Sequence, residues 1–230
     1  MNTAPPPVGA ALPHESAHLH VTGEAAYTDD LPEPAGTLHA APGLSSVAHG
    51  RIVSLDLAAV RSAPGVRAVI VAADIPGDNN CGAAVHDDPI LADGEVSFHG
   101  QPLFAVAADT RDQARHAARL AQVEIEAWPA LLTVADALAA DSPVLPPVEI
   151  SRGDVAAALA SAPHRLAGTL HLGGQEHFYL EGQVSLAIPR EDDSLHLVSS
   201  TQHPTEMQHM VASALGWRMH QVSCECRRMG

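Results

Sequence analysis

The residues best suited to chemistry lie in one run, Gly173-Gly174-Gln175-Glu176-His177-Phe178-Tyr179-Leu180-Glu181, directly after Leu172. Two glycines leave an apolar stretch just before an amide side chain and a dense polar and aromatic sequence. Glycine permits positive φ or close approach of backbone to a ligand, and a Gln amide both donates and accepts hydrogen bonds. The run reads as a ligand-facing loop, with a plain strand turn as the alternative. Periodicity does not choose between them.

Other groupings carry less. His14 and His18 have the i, i+4 spacing of a helical metal pair, with His20 close by. Pro13 before them and Val21-Thr22-Gly23 after them disfavour a helix, and neither a Cys nor a well-placed carboxylate completes a zinc site. Cys224 and Cys226 share one face of an expected strand but lack further ligands, so they and Cys81 read as free thiols. Met207 and Met210 belong to an apolar helix stripe, where methionine fills irregular space. No Gly-x-Gly-x-x-Gly after a strand and no Walker loop occurs, so nothing suggests that this chain binds a nucleotide itself.

Elements on both sides must position the run. Upstream, strand-like segments at Gly50 to Leu57, Val66 to Val71, Gln101 to Ala107 and Val123 to Glu126 alternate with helix-like ones at Asp56 to Ser62 and Thr110 to Ala121. That alternation predicts a mixed α/β fold. In the second helix Thr110 and Gln113 have capping-box spacing, and Ala114, Ala117, Ala118 and Ala121 mark one face. Arg111, Arg115 and Arg119 take the other face.

Asp141 to Ile150 carries Pro143, Pro146 and Pro147, which fix extended backbone and remove ladder donors, as a linker does. Beyond it the pattern predicts a short helix at Gly153 to Ala160 and strands at Arg165 to Leu172, Gln183 to Ile188 and Ser194 to Ser200. Arg190-Glu191-Asp192-Asp193 joins the last two strands as a hairpin turn. A helix from Pro204 to Leu215 follows, with Pro first, Glu206 in its first turn, Gly216 just past its end and an apolar face of Met207, Met210, Val211, Ala214 and Leu215. Gln221 to Cys226 predicts a final strand. The expected division is a flexible leader at 1–13, an α/β domain at 14–141, a Pro-rich linker at 142–150 and a second unit at 151–230. The strands of that second unit need more partner surface than so short a stretch supplies, so truncation is expected.

The chain has 230 residues, of which 46% are hydrophobic, enough for a packed core. A net charge of −15, from 27 acidic and 12 basic residues, repels phosphate backbones and anionic headgroups, which argues against nucleic acid as a partner. No stretch has the length of a membrane-spanning helix, and the start lacks a signal peptide's basic and apolar regions. Three cysteines cannot build a disulfide framework. A cytoplasmic location is the expectation.

From His14 onward the chain resembles the molybdenum hydroxylases, and among them the xanthine dehydrogenases. Gly173 to Glu181 looks like that family's first molybdopterin-side motif. Ser200-Thr201-Gln202-His203-Pro204 is similar to the segment following it, and Val21-Thr22-Gly23-Glu24-Ala25-Ala26-Tyr27-Thr28-Asp29-Asp30-Leu31-Pro32 resembles the opening of the family's α/β hammerhead domain. The resemblance implies a hammerhead domain followed by the truncated start of the molybdopterin-binding domain. It implies that Gln175 hydrogen-bonds an oxygen ligand of the molybdenum, in its sulfido form, without coordinating the metal.

The implied reaction oxidises xanthine and hypoxanthine to urate, with electrons leaving through 2Fe-2S and FAD on a separate small subunit to NAD. Partners would then be that flavin and iron-sulfur subunit in a hetero-oligomer, and a purine substrate. An aldehyde oxidase of the same superfamily is the near alternative, and a non-catalytic module docking the flavin subunit the distant one. In the family Arg227-Arg228-Met229-Gly230 continues into a Gly-rich loop with a Phe and later the catalytic glutamate. Neither Glu176 nor Glu181 matches that base, so no catalytic residue is expected within the 230 positions and the chain alone should not turn over substrate.

Overall fold

The computed structural model describes residues 8–229; the first seven residues of the expected leader, and Gly230, lie outside them. Among the described residues three three-stranded sheets are flanked by six α-helices, so the mixed α/β expectation holds.

The first sheet has the order β1 (His39–Leu44), β5 (Pro102–Ala108), β3 (Val66–Val71), antiparallel at both junctions. Its central strand reads Pro-Leu-Phe-Ala-Val-Ala-Ala, and Leu103, Phe104, Val106 and Ala108 are all buried. A strand covered on both faces sheds polar side chains, as this one does. The second sheet places β2 (Gly50–Asp56) between β4 (Glu95–Val96) and β6 (Gln122–Ala127). Leu57, Val60 and Val96 close the shared core against Leu103, Phe104 and Val106.

Helix α3 (Arg111–Ala118) starts and faces as its sequence requires. Thr110 is the N-cap, its hydroxyl accepting from Gln113 N at 3.2 Å, and Ala114 and Ala117 are buried. The Gln113 amide oxygen accepts from the Thr110 hydroxyl at 3.1 Å, so only half of the expected capping box forms.

Four differences from the sequence reading stand out. Helix α1 (Ala17–Thr22) forms despite its flanks, because Gly23 closes it in the left-handed region and the Thr22 hydroxyl bonds back to His18 O. Helices α2 (Ala58–Arg61), α4 (Val134–Ala139) and α5 (Val155–Ser161) are short, and α5 begins later than expected because Asp154 caps it. Strands β1 and β4 and helix α4 had no counterpart in the expected elements. The expected strand at Arg165 to Leu172 does not form: Leu166, Leu170 and Leu172 are exposed and no strand lies alongside, and a strand exists only through its ladder.

The later sheet is β7 (Ser185–Pro189), β8 (Leu195–Ser199), β9 (Val222–Glu225). The first two form the expected hairpin, closed by Arg190 N to Ser194 O at 2.8 Å, with Asp193 at φ 54° in the turn. The crossover helix α6 (Pro204–Leu215) returns the chain so that β9 runs parallel to β8. The Gln208 side-chain amide ties α6 to Val222 O at 2.6 Å. The predicted stripe of α6 is half-buried, and its fully buried residue is Ala212, one position away from that stripe.

Gly77 N and Asp78 N donate to the last carbonyls of α6, Ala214 O at 2.9 Å and Ser213 O at 3.0 Å. These bonds satisfy carbonyls that a helix end otherwise leaves open. A Cβ on Gly77 would lie 2.0 Å from Ser213 O, so the joint admits only glycine. Gly77→Ala is expected to cost about 1–3 kcal/mol of unfolding free energy in urea titration. Gly168→Ala, where a Cβ meets nothing within 4 Å, serves as the unaffected control.

Candidate functional site

Parallel strands joined through a helix put their carboxyl ends on one side, and that edge is where α/β sheets hold ligands. Here β8 leaves into Ser200-Thr201-Gln202-His203 and β9 into Cys226-Arg227-Arg228-Met229. The two exits are tied together, since the Cys226 thiol donates to Thr201 O at 2.8 Å. Ser200 clamps the third strand of the sheet: its hydroxyl accepts from Val184 N and donates to Gly182 O, each at 2.9 Å.

Above this edge opens a cleft of about 460 Å³. Its walls are Thr201, Gln202 and Arg228 from the strand exits, Tyr179 and Glu181 from the motif, and His20 and Tyr27 from the amino-terminal region. The motif reaches that region through one hydrogen bond, Thr28 N to Glu181 Oε1 at 2.8 Å, between residues 153 positions apart.

Arg228 brings a guanidinium to the cleft, whose lining also holds the Glu181 carboxylate. Arg227 pairs with Glu225 at 3.2 Å, whereas Arg228 has no carboxylate partner among the described residues, and its Nε is buried without an acceptor. A buried donor left unpaired costs about 1–3 kcal/mol. In a chain of net charge −15, such a cation is conspicuous and suits an anionic ligand.

Gln175 stands exposed and outside the cleft. Neither Gly173 nor Gly174 has a positive φ, and a Cβ on either would meet nothing within 4 Å. The left-handed residue of the run is Phe178, at φ 53°, with its N–H directed to Glu176 Oε1 at 3.4 Å. The left-handed backbone thus falls on an aromatic residue, where the sequence pointed to the glycines. Sequence pattern did not join His20, Tyr27, Thr201 and Arg228 into one site, because their meeting depends on contacts between distant segments.

His14 and His20 stack edge to face at 5.5 Å, and no group of three metal-binding side chains occurs among the described residues. Cys224 lies on β9 but Cys226 falls just past it, and all three cysteines are free. Burial raises the thiol pKa of Cys81, helped by Asp88, and that of Cys224, helped by Cys226. The thiolate is the nucleophile, so both should be sluggish. In time-resolved iodoacetamide labelling near neutral pH, each is expected to react several-fold more slowly than a peptide thiol, and to accelerate as pH rises. Labelling at the peptide rate would contradict this.

The sequence matches two family profiles in succession. Residues 22–129 match the aldehyde oxidase and xanthine dehydrogenase a/b hammerhead domain, and residues 140–230 the molybdopterin cofactor-binding domain. The chain belongs to the molybdenum hydroxylase family. Xanthine dehydrogenase from Oryza sativa subsp. japonica is 41% identical over 228 residues, which is 97% of this chain and 17% of that protein. Aldehyde oxidase 4 from Cavia porcellus is also 41% identical, over 97% of this chain and 17% of its own length. Among solved structures, the Desulfovibrio gigas aldehyde oxidoreductase superposes with a TM-score of 0.81 at 30% identity, across 93% of this chain and 26% of that one. The chain thus spans about one sixth of the curated molybdenum hydroxylases it matches. No helix among the described residues is long and apolar enough to cross a membrane.

Proposed function

We propose that this chain is part of the molybdenum-binding subunit of a xanthine dehydrogenase, acting on xanthine and hypoxanthine to give urate. The observation that carries the reading is the 41% identity to a xanthine dehydrogenase across 97% of the chain. In this reading residues 14–141 are the hammerhead domain, 142–150 the linker and 151–230 the opening of the cofactor domain, with 1–13 as leader. The protein works in the cytoplasm as a hetero-oligomer with a subunit bearing 2Fe-2S and FAD, which passes electrons to NAD.

The cleft suits the implied cofactor. Molybdopterin is anionic, and the unpaired buried Nε of Arg228 offers a charged donor at the carboxyl edge of a parallel strand pair. Arg228 and the amides of Gln183 and Gln202 would hold it. Gln175 would orient an oxygen on the metal through its own amide, as outer-shell groups do at other metal sites. When bound, the group supplies the two-electron redox chemistry that hydroxylates a purine carbon. This chain's residues supply binding and orientation, and its two motif glutamates, Glu176 and Glu181, are not the base.

An aldehyde oxidase is the second reading, favoured by the equal identity to aldehyde oxidase 4. The native complex, purified and given xanthine or an aromatic aldehyde with NAD, separates the two. Urate and NADH from xanthine, with little turnover of aldehyde, is the expected result. Preference for aldehyde would replace the first reading with the second.

A further inference from the structure

From Pro163 to Leu180 every residue is exposed and none belongs to a helix or strand. The first fixed point after that stretch is Glu181, whose carboxylate accepts from the backbone N–H of Thr28 at 2.8 Å. Thr28 is itself only 4% exposed, so the donor sits on a firm support. Between Gln175 and this anchor Phe178 takes a left-handed backbone, and the chain bends at Leu180 and Glu181. His177, Tyr179 and Leu180 thereby come to line the same cleft as His20 and Tyr27.

We infer that Glu181 is a positioning residue: its bond to Thr28 N latches the motif onto the amino-terminal region and so fixes where Gln175 is presented. The inference rests on the cofactor role proposed for Gln175. Its logic is geometric. A segment without ladder or core contacts has its freedom reduced only at its anchors, and here a carboxylate supplies the anchor through a charge-assisted bond. Glu181 thus serves the site through Gln175 and takes no part in the chemistry.

The test uses the native complex carrying Glu181→Ala, Glu181→Gln, Thr28→Pro, or Glu181→Ala with Thr28→Pro. Thr28 opens a short 3-10 turn, where proline removes the N–H at little structural cost. Molybdenum per protein and the paramagnetic resonance line shape of partially reduced metal are read, with thermal unfolding alongside. Glu181→Ala and Thr28→Pro are each expected to lower bound molybdenum by roughly tenfold, and the double variant no further. Glu181→Gln keeps an acceptor oxygen and should stay close to wild type. The metal remaining in Glu181→Ala should show an altered line shape, whereas a merely unstable protein loses signal without changing its shape. Wild-type occupancy and line shape in Glu181→Ala would overturn the latch, as would a Glu181→Gln as depleted as Glu181→Ala. Wild-type complex without molybdenum would instead overturn the proposed function.

Discussion

Gln175→Ala in the native complex is expected to cut turnover of the loaded enzyme by roughly 10- to 100-fold while leaving the protein's stability unchanged. The two halves of that result come from different physics. A single hydrogen bond is worth about 0.5–1.5 kcal/mol net, up to about tenfold, and misorientation of the metal's ligands adds to it. Stability should not move, because Gln175 is exposed and packs against nothing in the core. Exposed substitutions of this kind stay within about 0.5 kcal/mol. Steady-state kinetics normalised to molybdenum content, with a urea titration of the same preparation, reads both. A large stability loss with normal turnover per metal would reverse the assignment.

Phe104→Ala should do the opposite. Phe104 is 1% exposed at the centre of β5, among Leu103, Val106, Val60 and Val96. Truncating a buried phenyl ring removes transfer energy and leaves a cavity, for about 3–5 kcal/mol in total. That is a large share of the stability of an ordinary domain. Phe178→Ala is the matched control: its ring is 93% exposed, and no comparable loss is expected. Urea midpoints for the two variants should differ sharply. Equal midpoints would mean that the hammerhead core lies elsewhere.

The contrast between those two phenylalanines shows what the sequence could reveal. Local signals were legible wherever the cause was local: Thr110 capping α3, the apolar run of β5, the hairpin turn at Asp193, Pro204 opening α6 and Gly216 ending it. Strand β1 was hidden because Pro42 and Gly43 argue against a strand. Both are tolerated there, since β1 is an edge strand, and Gly43 is required because a Cβ would lie 2.0 Å from the Phe104 ring. Conversely, Arg165 to Leu172 has a strand's alternation and no strand beside it. Pattern gives the propensity of a segment, and only a partner gives the ladder.

The site was legible in a similarly partial way. The nine residues from Gly173 to Glu181 marked the region, but which of them anchors it depended on Thr28, 153 positions away. Arg228 stood in the sequence only as part of the Arg227-Arg228-Met229-Gly230 segment, with no sign of a binding role. Its importance comes from lacking a partner where Arg227 beside it has one.

The most direct measurement is the metal content of the purified native complex, by inductively coupled plasma mass spectrometry, together with xanthine turnover in the same sample. Near-stoichiometric molybdenum that tracks activity across preparations is the expected result. A well-folded complex with Gln175 and Arg228 intact but neither molybdenum nor turnover would contradict the assignment of this chain to a working molybdenum site.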